Sequence, residues 1–140
     1  METKKMTDDD YIKQYYKILS DTSLETYDPH QIALEKGARI LFHRKKRRAY
    51  YKLVRDKEDR ERRKFLDFRF QSNEKLSVED AKAKARLHED VQAFNDQLDQ
   101  AEKEKDLAYA KLEVIIEKIG QMADRNATAR AEMKMGSLIT

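Results

Sequence analysis

Residues 91–133 read VQAFNDQLDQAEKEKDLAYAKLEVIIEKIGQMADRNATARAEM, and the spacing of their apolar positions decides the fold. With Val91 as a heptad a position, the a series is Val91, Leu98, Lys105, Leu112, Ile119, Asn126, Met133, and the d series is Phe94, Ala101, Ala108, Ile115, Met122, Ala129. All but Lys105 and Asn126 are apolar, so the stretch reads as one long helix with an apolar stripe along one side. Two uses of such a stripe stay open: the buried face of a hairpin within one chain, or a seam between copies. Leu107, Val114 and Ile116 widen it beyond a two-stranded coiled coil, and a chain of 140 residues has little else with which to cover two helices of roughly 40 residues. Self-association is therefore expected, through Val91, Phe94, Leu98, Leu112, Ile115, Ile119 and Met122. Lys105 and Asn126 either fix register or subunit number, or mark where the seam ends.

Working outward from this helix, His88-Glu89-Asp90 reads as a short joint. Ser77, with Asp80 three residues on, gives a capping signal for a helix through about Leu87, and residues 71–75 break the pattern before it. Upstream, Asp28-Pro29 reads as an N-cap followed by proline at the first helical position. From there one helix, interrupted only by Gly37, can run to about Phe70, which is ~60 Å at 1.5 Å per residue. Phe65, Leu66, Phe68 and Phe70 are expected to pack its end on the last helix. At the start, Asp8-Asp9-Asp10 suits a helix N-terminus, and Tyr11/Ile12, Tyr15/Tyr16 and Ile18/Leu19 recur at helical spacing. Residues 20–27 are polar and turn-like. The expected fold is all-α: a single helical domain over 1–140, forming an elongated helical hairpin or bundle with long coiled-coil-like helices that oligomerises. A short amphipathic helix and loop fill 1–27, a long basic helix 29–70 and a C-terminal helical oligomerisation region 77–135.

Composition narrows the chemistry. One proline, three glycines and no cysteine exclude an all-β fold and a disulfide scaffold. No apolar run approaches the ~20 residues that cross a bilayer, and the Met-Glu-Thr-Lys-Lys start lacks a signal peptide's apolar stretch, so a soluble cytoplasmic protein with no membrane partner is expected. The three histidines, at 30, 43 and 88, share no ligand spacing, and the glycines at 37, 120 and 136 are isolated. Neither a metal site nor a nucleotide-binding loop can be written, and the carboxylates lie among lysines and arginines at solvated helical positions. The expectation is a non-enzyme without a cofactor.

Charge supplies the positive indication. The net charge is only +3, yet the segment 36–64 holds 14 Lys or Arg against four acids, and the rest of the chain is acidic on balance. At its centre lie Arg44-Lys45-Lys46-Arg47-Arg48, then Ala49, Tyr50, Tyr51, Lys52, and after Leu53 and Val54, Arg55. Five successive cations cover nearly a turn and a half of helix, so they cannot all point one way, and an anion should relieve their repulsion. Phosphate backbones do this with counterion release, and aromatic rings beside a cationic track offer stacking to unpaired bases. The tyrosines serve equally well as the buried side of the helix, with Leu53, Val54 and Phe42. A nuclear localisation signal is another use of such a run; a lipid-binding helix would need a wider apolar face.

The chain resembles the UvsY-type recombination mediator proteins of tailed phages. The resemblance rests on chain size, on the run Lys45-Lys46-Arg47-Arg48-Ala49-Tyr50-Tyr51, which matches a Lys-x-Arg-x-x-Tyr-Tyr arrangement, and on a long C-terminal helix after a short acidic joint. It implies an oligomeric helical protein that binds single-stranded DNA without sequence preference and helps a recombinase replace single-strand binding protein, in the host cytoplasm. It further implies that Lys45 and Arg47 contact phosphate and that the last helix carries oligomerisation. The chain departs from the pattern in having no glycine after the paired tyrosines and in continuing through a highly charged helix.

Together these readings lead to an expected non-catalytic, oligomeric binder of single-stranded nucleic acid, with Arg44, Lys45, Lys46, Arg47, Arg48, Tyr50, Tyr51, Lys52 and Arg55 at its site. A coiled-coil assembly or inhibitor protein whose basic helix docks on an acidic protein partner is the alternative. An accessory subunit of a nucleic-acid enzyme is a third.

Overall fold

The computed structural model describes residues 5–71, 73 and 75–139, and among these there are helices and turns but no strand. The protein is all-α. Helix α1 spans Asp8–Leu19, α2 Pro29–Leu66, α3 Val78–Leu87, α4 Glu89–Gln92 and α5 Phe94–Ile139. A 3-10 turn at Ser23–Thr26 joins α1 to α2, and α2 runs on into a π turn at Asp67–Gln71.

Helices α1 to α4 begin where local chemistry supplies a cap. The Asp10 amide donates to Thr7 Oγ1 (3.1 Å) while Asp10 Oδ2 accepts from the Thr7 amide (3.4 Å), a reciprocal box that satisfies two orphan donors of α1. Asp28 Oδ1 accepts from the Gln31 amide at 2.8 Å beside Pro29, and Ser77 Oγ accepts from the Asp80 amide at 3.3 Å. The joint before α4 is His88, whose extended backbone ends α3 and whose Nδ1 accepts from the Asp90 amide at 3.1 Å. Gly120 leaves α5 uninterrupted.

The chain divides into two compact units: residues 5–6 with 44–106, and residues 7–43 with 107–139. In the second unit the apolar stripe of α5 meets a partner that sequence periodicity misses. Leu24, in the 3-10 turn, is 1% exposed and packs with Ile32 of α2 and Leu112 and Ile115 of α5, flanked by Ile40, Val114, Ile119 and Met122. Each fully buried side chain of this size contributes about 1.5–3 kcal/mol. Arg39 braces the same unit, donating to the Lys111 carbonyl (2.8 Å) and pairing with Glu35 (3.1 Å) and Asp21 (3.5 Å). Lys118 pairs with Glu25 at 3.2 Å.

The first unit has a more polar seam. Along α2 the half-buried positions include Lys46, Tyr50, Leu53, Lys57, Arg60 and Lys64, the three-and-four spacing of a helix face turned toward a neighbour. Lys46 meets Glu104 (3.5 Å), Lys57 donates to Asn95 Oδ1 (2.8 Å), and Lys64 meets Asp90 (3.0 Å), which sets α2 antiparallel to α4 and the start of α5. The Lys64 ammonium holds the Asp90 carboxyl below the usual carboxylate range. Between these polar contacts lie Val91 and Ala101, both buried, and Phe94 and Leu98, half-buried. Ala81 and Ala85 let α3 pack closely against the unit. Phe68 packs against α3 and the joint, with Lys84 Nζ 4.9 Å and the His88 ring 5.9 Å from its ring centre, while Leu66 and Phe70 stay exposed. The expected docking of Phe65–Phe70 on the last helix is thus replaced, for Phe68, by packing on α3.

Of the residues expected to gather copies, Val91, Leu112 and Ile115 are buried within the chain, and Phe94, Leu98, Ile119 and Met122 are half-buried. Beyond Met122 the stripe emerges, and residues 123–136 of α5 are exposed.

Candidate nucleic-acid interface

The basic run lies in the first unit, on a part of α2 where every residue from 44 to 55 is helical. Helical phase sorts the run into faces. Arg44, Arg47, Arg48, Tyr51 and Arg55, at i, i+3, i+4, i+7 and i+11, share one exposed face and line a shallow cleft of about 290 Å³. Arg44 to Arg55 is a rise of ~16 Å. Lys45 and Lys52 are exposed beside this face. Lys46 and Tyr50 turn inward, so the nine expected site residues are not one surface.

The inward pair is occupied. Lys46 reaches Glu104, itself hydrogen-bonded by Gln100 Nε2 at 3.4 Å. Lys105 Nζ lies 4.5 Å from the centre of the Tyr50 ring, a cation–π contact that covers one face of that ring. Heptad spacing does not reveal this partner: Lys105 breaks the pattern because its ammonium sits on an aromatic ring of α2. Its polarity at an a position was the available signal; the register that brings it to Tyr50 was not.

The outward face differs in its electrostatics. Among the described residues no carboxylate pairs with Arg44, Arg47, Arg48 or Arg55, whereas the half-buried Lys46 and Lys64 each have one and Arg39 has two. The Arg47 guanidinium lies 5.7 Å from the Tyr51 ring centre, and Tyr51 meets Tyr50 edge-on with centroids 5.4 Å apart. Tyr51 is 47% exposed, so a planar group has access to its ring. Four guanidinium forks and one ring on a single helix face supply donors for several anionic oxygens and one stacking platform.

A larger cleft, about 1090 Å³, opens in the second unit among α1, the turn after it, α2 and Lys111. Its walls include Ile18, Phe42, Lys17 and the Asp21–Arg39 pair, whose charges are already engaged with each other. The histidines stand apart in function: His30 is exposed, His43 rests 5.2 Å from the Tyr109 ring, and His88 caps α4. Among the described residues no helix is long and apolar enough to cross a membrane.

Comparisons with protein-family models, with curated proteins and with solved structures give no match to this chain.

Proposed function

We propose that this protein is a non-enzymatic binder of single-stranded nucleic acid that holds phosphates with Arg44, Arg47, Arg48 and Arg55 and stacks an unpaired base on Tyr51. One observation carries the reading: Lys46, Lys57 and Lys64, which turn inward toward the rest of their unit, have partners in the chain, while among the described residues no carboxylate pairs with the four arginines of the outward face. Like charges three and four residues apart on a helix repel, and a polyanion removes that cost while releasing its own counterions. Guanidinium groups grip phosphate oxygens in pairs, and a ring accepts any base, so the binding is independent of sequence. Lys45 and Lys52 widen the positive field. Lys46 and Tyr50 position the helix and do not touch the strand.

Self-association belongs to the same reading, since several copies on one strand turn a short patch into a track of much higher avidity. Following the resemblance, the wider role is that of a recombination mediator, with recombinase and single-strand binding protein as partners. An acidic protein surface would use the same arginines, and an oligonucleotide titration separates the two. In fluorescence anisotropy at low salt, wild type binds a labelled oligothymidine, and Arg47→Ala with Arg48→Ala weakens binding about tenfold or more. Lys46→Ala leaves it nearly unchanged. Absence of binding by wild type, or equal losses in the two variants, contradicts the proposal.

A further inference from the structure

We propose that His88 makes the joint between α3 and α4 a proton-operated switch: the neutral imidazole caps α4, and the imidazolium releases that cap and takes the Asp90 carboxylate from Lys64 of α2. All the groups concerned lie in the first unit. The backbone of His88 is extended (φ −64°, ψ 140°), which ends α3 and places the residue immediately before α4. Its carbonyl accepts from the Val91 and Gln92 amides, both at 3.0 Å, and its Nδ1 accepts from the Asp90 amide at 3.1 Å. A ring nitrogen accepts only while it carries a lone pair, so this cap requires neutral histidine with its proton on Nε2. Serine, threonine and asparagine cap helices without titrating. Here the cap is the one side chain whose charge changes in the physiological range.

Protonation turns Nδ1 from an acceptor into a donor, and the Asp90 amide loses its partner. Asp90 Oδ2 lies 3.8 Å from Nδ1, beyond a hydrogen bond but close enough to feel a charge. The same oxygen is 3.0 Å from Lys64 Nζ. Once the ring is charged, one carboxylate oxygen therefore stands between two cations. The ring is half-buried, with the Phe68 ring centre 5.9 Å away, so its charge is poorly hydrated and calls for an anion. Turning the carboxylate to a charge-assisted distance of about 2.8 Å from Nδ1 lengthens its contact with Lys64. The other charged groups of the elements that meet here are accounted for. On the π turn, Arg69 donates to the Leu76 carbonyl (3.0 Å); on α3, Lys84 lies over the Phe68 ring; at the start of α5, Asp96 pairs with Lys5 (3.1 Å). Arg60 of α2 and Arg86 of α3 add positive charge, and Asp67 and Glu89 add negative. His30 and His43 belong to the other unit.

Nuclear magnetic resonance on the isotope-labelled full chain, without nucleic acid, reads each half of the switch and is independent of strand binding. At about pH 8 the Asp90 amide nitrogen and His88 Nδ1 show a scalar coupling across the N–H···N hydrogen bond, and at about pH 5 it is lost, following the titration of the His88 ring. Over the same step the nuclear Overhauser contact between Lys64 Hε and Asp90 Hβ weakens, and a His88 Nδ1 proton held by the carboxylate becomes visible. In Asp90→Ala the coupling at high pH remains while the visible Nδ1 proton at low pH is lost. In His88→Asn, whose side-chain oxygen caps without titrating, the Lys64–Asp90 contact is the same at both pH values. Absence of the coupling at about pH 8, where the ring is neutral, overturns the proposal. A Lys64–Asp90 contact that stays constant through the His88 titration, or that changes equally in His88→Asn, overturns the exchange of partners and with it the switch.

Discussion

Arg39 and Arg47 stand eight residues apart on one helix and have opposite surroundings. Arg39 is closed in by Asp21, Glu35 and the Lys111 carbonyl, with its side chain only 14% exposed; Arg47 lies in the open against the Tyr51 ring. The first holds the fold, and the second has no carboxylate partner among the described residues. Asp21 shows what that holding entails. Ser23 donates to its Oδ1 through both hydroxyl (2.6 Å) and amide (3.0 Å), and with the Arg39 charge these keep the carboxyl below the ordinary aspartate range against a smaller opposing effect of burial. A carboxyl depressed in the folded state stabilises it above the unfolded value, near 4, and that contribution is lost as pH falls from there through the folded value. Thermal melts of wild type and Asp21→Asn should therefore differ fully at pH 7, with wild type the more stable, and converge below about pH 4. A gap that persists unchanged at pH 2.5 would show that the carboxylate charge has no part in it.

At the scale of the element, α5 was readable as a helix from its heptad spacing, but what covers its stripe was not. The hairpin within the chain and the seam between copies share one pattern, and only the three-dimensional register separates them: Leu24 in a four-residue turn carries no periodicity, yet it closes the core over Ile115. Caps were legible because their signal is local, as Asp28-Pro29 and Ser77 illustrate. The basic run was legible as a cluster, since composition alone marks it, but its division into an outward arginine face and an inward Lys46–Tyr50 pair depends on which side of α2 meets Glu104 and Lys105. Gly120 illustrates the same limit. It lies inside α5, and an added methyl group would meet nothing within 4 Å. Gly120→Ala should raise stability by about 0.5–1 kcal/mol through reduced backbone freedom in the unfolded chain, read as a higher urea midpoint with an unchanged slope. A lower midpoint would mean that α5 bends there in solution.

For the molecule as a whole, the distribution of charge matters more than its sum. A chain of net charge +3 carries its positive excess in the segment 36–64, and within that segment the paired cations build the fold while the outward arginines remain available. On the proposed reading, affinity for a strand is an electrostatic quantity with a countable slope. Four arginine–phosphate contacts on a single strand correspond to a slope of about −3 in log affinity against log salt per bound chain. The direct measurement is that slope, taken with oligothymidine for wild type and for the chain with Arg44, Arg47, Arg48 and Arg55 all changed to Gln. The account predicts a steep fall with salt for wild type and a nearly flat, weak response for the variant at unchanged helicity; equal slopes, or no binding by wild type in dilute buffer, would contradict it.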